Sequence, residues 1–281
     1  MLLTVAVTLQ TRRDFGQGAI APGPGPARGA IRSTSRLALR LNRGPLSSWT
    51  VAFVALGTVF GYFATSVNDV LGTDPAVQQV LAAGASTPGE LLSVFLVTIL
   101  SLVGITAAVP GVQAMLRVRS EEMADRVEPI IATAEPRRRY YASNAVLALA
   151  APTANVLLAG TLIAIIASVA DVGITLGDGL LQAVATVPAV WTVVAVSVPV
   201  VGARPRVILA AWLRVLASFA LTLLGPTFGL DDWVLGISPF WHLPNTTAAA
   251  PDLTGLAWVT LATLVVLAAG FVGFRRRDLA R

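Results

Sequence analysis

The sequence has no cysteine, no lysine and a single histidine, His242. Without cysteine there is no disulfide, no thiolate nucleophile and no cysteine metal site. One histidine excludes a multi-histidine metal centre. Charge is also scarce: 12% of the 281 residues are charged, about half the roughly 25% of a soluble domain. No glycine-rich loop ending in Gly-Lys-Ser/Thr is present, so the chain does not hydrolyse nucleotide itself. An intramembrane hydrolase would need a nucleophile with a base, or a set of metal ligands. His242 lies instead in the run Pro239-Phe240-Trp241-His242-Leu243-Pro244, where a lone histidine among aromatics reads as packing or interface. The expected catalytic, cofactor-binding and metal residues are therefore none.

Apolar residues are abundant. They make up 55% of the chain, and the mean hydropathy is +0.75. They fall in blocks near the ~20 residues that cross a bilayer as helix. A β-barrel would show alternating segments of ~10 residues, and none occur. The expected fold class is all-α: a polytopic membrane protein with six transmembrane helices near residues 49–67, 91–109, 145–170, 180–201, 207–224 and 253–274. Pro110-Gly111 reads as a break ending the second span. Arg214 lies inside the fifth and is expected to snorkel toward the near face.

Ahead of the first span, residues 1–10 are apolar but too short to span. Arg12 and Arg13 follow them, the wrong order for a signal peptide. Leu2–Gln10 running into Arg12-Arg13-Asp14 parallels Leu264–Phe274 running into Arg276-Arg277-Asp278. That match suggests two tandem halves, with this chain holding the second half and a truncated helix stub of the first. Residues 11–29 are a Gly/Pro linker. In residues 30–47, Arg32, Arg36, Arg40 and Arg43 fall on one helical stripe with Leu37 and Leu41 off it. This reads as a cytoplasmic interfacial helix, arginines at lipid phosphates and leucines in the acyl boundary, ended by Gly44-Pro45. The alternative is a basic loop that only enforces topology.

All twenty basic residues are arginine, and the net charge is +5. Because the arginines flank apolar spans, membrane lipids rather than nucleic acid are the expected partner. They occupy the N-terminal region, the second-to-third loop, the fourth-to-fifth turn and the C-terminus, and the other connections have none. The positive-inside rule then places both termini in the cytoplasm. None of the fifteen acids lies mid-span, so an ion-coupled transporter has little to work with. Asn155 in the third span either hydrogen-bonds to a neighbouring helix or touches a transported molecule.

Energy must then come from a partner, which draws attention to the charged segment 113–143 between spans two and three. Leu116, Met123, Val127, Ile130 and Ile131 share a helical face. Glu122 and Arg126 have i,i+4 spacing. Pro129 and Pro136 divide the segment into short helices. Such an object fits a groove on a soluble protein; the alternative is that its apolar face lies on the membrane or the bundle.

Four stretches carry a family resemblance: Arg119-Ser120-Glu121-Glu122 continuing through Asp125–Thr133 to Arg137–Tyr141; Arg12–Gly16; Ser238–Pro244; and Arg276–Leu279. In this order they resemble the ABC type-2 permeases, and more narrowly the bacterial exporters of polyketide antibiotics and other drugs. Asp125 departs from that pattern, standing where relatives often have glycine. The resemblance implies a permease with a separate ATP-binding subunit that holds the ATP and Mg, a second permease half or a homodimer partner, and a place in the bacterial plasma membrane. It implies a coupling helix at Glu121–Thr133, with Glu121, Glu122, Met123, Arg126, Val127, Glu128, Ile130 and Ile131 contacting the ATPase. It also implies an outer re-entrant segment in 225–244 carrying Phe240, Trp241 and His242. The expected function is export of an amphiphilic, antibiotic-like small molecule. The alternative is a non-transporting membrane anchor or scaffold for a cytoplasmic ATPase.

Overall fold

The architecture comes from a computed structural model that describes residues 33–73, 88–124, 137–203, 207–248 and 250–276. Residue 34 onward falls in one compact unit. Among the described residues regular structure is entirely helical. In chain order the helices are α1 (Thr34–Thr73), α2 (Pro88–Met123), α3 (Arg137–Val169), α4 (Leu176–Ala195), α5 (Ser197–Ala203), α6 (Leu209–Leu223), α7 (Asp232–Leu235), a 3-10 turn (Pro239–His242) and α8 (Thr254–Arg276). Among the described residues, five helical stretches are long and apolar enough to cross a membrane: 34–66, 92–123, 138–169, 176–203 and 254–276. The expected fifth span is the shorter α6, with 15 residues, or about 22 Å of helix against ~30 Å of hydrocarbon.

The helices differ from the sequence reading in four places, three of them at proline. α1 runs through Pro45 as one helix of 40 residues, so the expected stop at Gly44-Pro45 does not occur. Proline removes one helix bond, here to the Leu41 carbonyl. Just beyond it, the Ser47 and Ser48 hydroxyls donate to the Gly44 carbonyl. α2 likewise runs through Pro110 to Met123. A Cβ on Gly111 would lie 2.6 Å from the Ala148 carbonyl, so Pro110-Gly111 marks a close approach to α3 rather than a break. The fourth span does break, at Val196 between α4 and α5. There Pro199 cannot donate to the Ala195 carbonyl. α4 also starts earlier than expected. Thr175 and Asp178 form a reciprocal capping box at its start, a Thr-x-x-acid pattern.

The core lies where α2, α3 and α4 meet: Leu100, Val103, Met115, Val156, Ile163, Val190 and Val193 are fully buried. In a bilayer, apolar side chains gain nothing by leaving lipid, so close backbone packing has to hold the helices together. Gly57 of α1 supplies it against α3, since a Cβ there would meet the Ala159 backbone at 2.8 Å. At the arginine-bearing end, Tyr141 of α3 is fully buried. Its ring stacks on Phe274 of α8 at 4.1 Å between centroids, and its hydroxyl donates to the Val198 carbonyl of α5.

Candidate functional site

Two features stand out from this frame: a folded-back connection between α6 and α8, and an apolar groove between α2 and α6. Leu209–Leu223 holds no glycine or proline, and Arg214 is the one charge in its otherwise apolar run, so the helix continues through it. Gly225-Pro226 then turns the chain, with the Leu230 N–H closing on the Gly225 carbonyl. The chain does not move away from the bundle. Gly225 packs against Leu235, the Thr222 and Ser238 hydroxyls lie 2.8 Å apart, and Arg214 Nη1 donates to the Ile237 carbonyl at 3.0 Å. Arg214 stands nine residues before the end of α6, or about 13 Å back along it. Ile237, fourteen residues past that end, is therefore drawn back beside the helix. Arg214 does not snorkel toward the near face; it ties the connection to α6, and its buried Nε has no partner among the described residues.

Past Ser238, whose hydroxyl accepts from the Phe240 N–H, the 3-10 turn carries Phe240 into the core. A Cβ on Gly104 would lie 2.7 Å from the Phe240 ring edge, 2.9 Å from Thr186 and 3.1 Å from Val190. Thr186 is ten residues into α4, so Phe240 sits roughly 15 Å below that helix start. Phe240 is buried, Trp241 is exposed and His242 half-buried, with His242 Nε2 2.9 Å from the Gly236 carbonyl. The structure thus separates the three aromatics of this run: Phe240 anchors it, and Trp241 faces outward.

Beyond Phe240 the chain turns back toward the start of α4 and is held by a residue that the sequence reading did not single out. Gln182 of α4 is fully buried. Its Nε2 donates to the Pro244 carbonyl at 3.0 Å, and its Oε1 accepts from the Thr246 N–H at 3.0 Å and the Thr246 hydroxyl at 2.8 Å. Beside it, Asn245 donates to the Ser93 hydroxyl of α2. An amide inside an otherwise apolar helix was the available signal, since a buried polar group needs partners.

The groove lies lower. It encloses about 490 Å3 between Ile105, Thr106 and Val109 on one side and Trp212, Leu216 and Phe219 on the other. The Thr106 hydroxyl is already committed to the Leu102 carbonyl, so the surface on offer is apolar. Asn155 is buried within α3 and does not line this groove.

At the arginine-bearing end, the described part of the expected coupling segment is the end of α2. Glu121 is buried and paired with Arg117, and Glu122 with Arg119, both at 3.4 Å. Their carboxylates therefore turn back onto their own helix, and Met123, 69% exposed, projects from it. Arg126, Val127, Glu128, Ile130 and Ile131 lie outside the described residues, as do the helix stub, the linker and Arg32. Arg36, Arg40 and Arg43 are exposed on α1, opposite the buried stripe Thr34, Ala38 and Asn42.

Comparison with known proteins agrees with this architecture. A family model described as "Multidrug efflux system permease Rv1217c, C-terminal domain" matches residues 31–275. The chain is also similar to the "Multidrug efflux system permease protein Rv1217c" of Mycobacterium tuberculosis (strain ATCC 25618 / H37Rv), with 34% identity over 282 residues covering 99% of this chain. The chain spans about half that relative's length, 51%.

Proposed function

The chain belongs to the family of the multidrug efflux system permease Rv1217c C-terminal domain, and on that premise we propose that it is a permease half of an ATP-driven drug exporter. The observation that carries this reading is the α2–α6 groove. Its apolar walls suit the hydrocarbon part of an amphiphilic molecule arriving from the bilayer. No acid stands mid-span to couple an ion gradient, so the energy is assigned to a separate ATP-binding subunit that holds ATP and Mg. Segment 113–143 is the contact with that subunit, with Met123, Val127, Ile130 and Ile131 as its apolar grip. A second half, supplied by another chain or another copy, completes the path. The arginine-bearing end is the cytoplasmic one, which places the Gln182-held connection on the outer side of a bacterial plasma membrane. Export then consists of alternation between inward- and outward-open arrangements driven by the partner.

The test is energy-dependent extrusion of a lipophilic dye from cells expressing the chain with its ATP-binding subunit and other half. Extrusion is expected, and the double variant Val127→Asp, Ile130→Asp is expected to abolish both extrusion and co-purification of the ATPase. Normal co-purification of that variant would remove the coupling assignment. Assembly without extrusion of any compound would replace the exporter with a scaffold.

A further inference from the structure

We infer that Gln182 is the positioning residue of an outer plug: it fixes the depth at which segment 240–246 closes the bundle, and its release opens the outer side. This rests on the exporter reading for its direction, outer against cytoplasmic, but not for its geometry.

The connection between α6 and α8 is held in two different ways. Its first half, 225–238, is attached to α6 through Arg214 on the Ile237 carbonyl and Thr222 on Ser238. Only Ala211 and Ser218 of α6 are buried, so α6 is a peripheral element and its attached half goes with it. The second half, 240–246, is attached to the frame. Phe240 is seated between α2 and α4, and four residues later the chain meets the Gln182 amide. Pro239 stands between the halves, which the His242 contact with the Gly236 carbonyl and the Phe240 N–H on the Ser238 hydroxyl join. The frame itself is well buried, with Gln182, Ala183, Thr186 and Val190 all fully enclosed.

Gln182 is suited to fixing depth because both of its polar atoms are committed to one stretch of chain, and in one orientation only. Flipping the amide would set its NH2 against the Thr246 N–H and its oxygen against the Pro244 carbonyl. Shifting the segment by one residue would leave a buried N–H and a buried carbonyl unmatched in apolar surroundings. The Thr246 hydroxyl on Gln182 and the Asn245 amide on Ser93 mark this register by side chain, and it places Phe240 over Gly104. A plug held by side-chain hydrogen bonds can let go as a unit, which one held by main-chain helix bonds cannot.

The absence of cysteine allows a direct test. Thr186→Cys places a thiol beneath Phe240, and Ala148→Cys places one in a fully buried site of α3 away from the plug. Each is made in the full chain in intact cells and exposed to a membrane-impermeant maleimide from outside. With native Gln182 both thiols are expected to be protected. With Gln182→Leu, which keeps the bulk and removes the amide, the Thr186→Cys thiol is expected to label about tenfold to a hundredfold faster, the population shift for losing buried hydrogen bonds. The Ala148→Cys thiol is expected to stay protected. Gln182→Glu, kept neutral by burial, can still donate and accept, and is expected to restore most of the protection. Protection of Thr186→Cys in the leucine background would overturn the proposal. So would labelling of both thiols, which would make Gln182 a general stabilising residue. Dye extrusion by the native chain is measured separately. Its failure would remove the exporter reading while leaving the labelling pattern to decide the plug.

Discussion

A methyl group added at Gly104 would meet the ring edge of Phe240 at 2.7 Å and Thr186 at 2.9 Å. Neither neighbour is a flexible chain end: Phe240 is buried and Thr186 is fully enclosed. Overpacking of this kind costs about 1–3 kcal/mol, so Gly104→Ala is expected to lower the thermal midpoint of the purified protein. The tightest of these contacts is the one with Phe240, so Phe240→Leu in the same chain should recover part of the cost. A double-mutant cycle on thermal melts measures the coupling, and simple additivity would show that Gly104 is not what receives Phe240. At this scale the sequence was readable only in part. Phe240, Trp241 and His242 declared themselves as an aromatic run between prolines. Gln182 did not, because its partners Pro244 and Thr246 are more than sixty residues away and nothing local marks the pairing.

Among the elements, five of the six expected spans coincide with described helices long and apolar enough to cross a membrane, the remaining one, the fifth, being the shorter α6, and most of the differences fall at proline. Pro45 and Pro110 were read as helix ends, yet both lie inside helices. Within a membrane bundle, neighbouring groups satisfy the backbone that proline frees, so the residue loses its value as a stop signal. Where the fourth span does break, between α4 and α5, the break is pinned by Tyr141. The ring contributes burial and stacking, the hydroxyl one hydrogen bond to Val198. Tyr141→Phe should therefore cost about 0.5–1.5 kcal/mol, and Tyr141→Ala about 3–5 kcal/mol, as for a large buried aromatic. Thermal melts of the purified variants check the ranking. If the two substitutions cost the same, the ring does not join α3 to α8.

For the molecule as a whole, composition decided the class and arginine placement decided the expected orientation. Arg214 apart, which lies within α6 and bonds to the Ile237 carbonyl, the described arginines fall in one grouping. Arg43 of α1, Arg138 and Arg139 of α3, and Arg275 and Arg276 of α8 belong to helix ends that alternation of the spans sets on one side. Asp171, Asp231, Asp232 and Asp252 fall in the connections of the other side, and Asp178 in the first turn of α4 beside them. Inserting the opposite way would leave clusters of arginine to be carried across the bilayer, against the bias that fixes short loops. Single cysteines in the cysteine-free chain therefore have defined expected outcomes. Asp171→Cys and Asp252→Cys, both at exposed positions, should react with an impermeant maleimide in intact cells. Arg43→Cys and Arg276→Cys should react only after permeabilisation. The reverse pattern would invert the molecule and place the Gln182 clasp on the cytoplasmic side. Labelling of all four in intact cells would mean that the helices do not cross in alternation, and would remove the single-sided grouping on which both the coupling segment and the outer plug are argued.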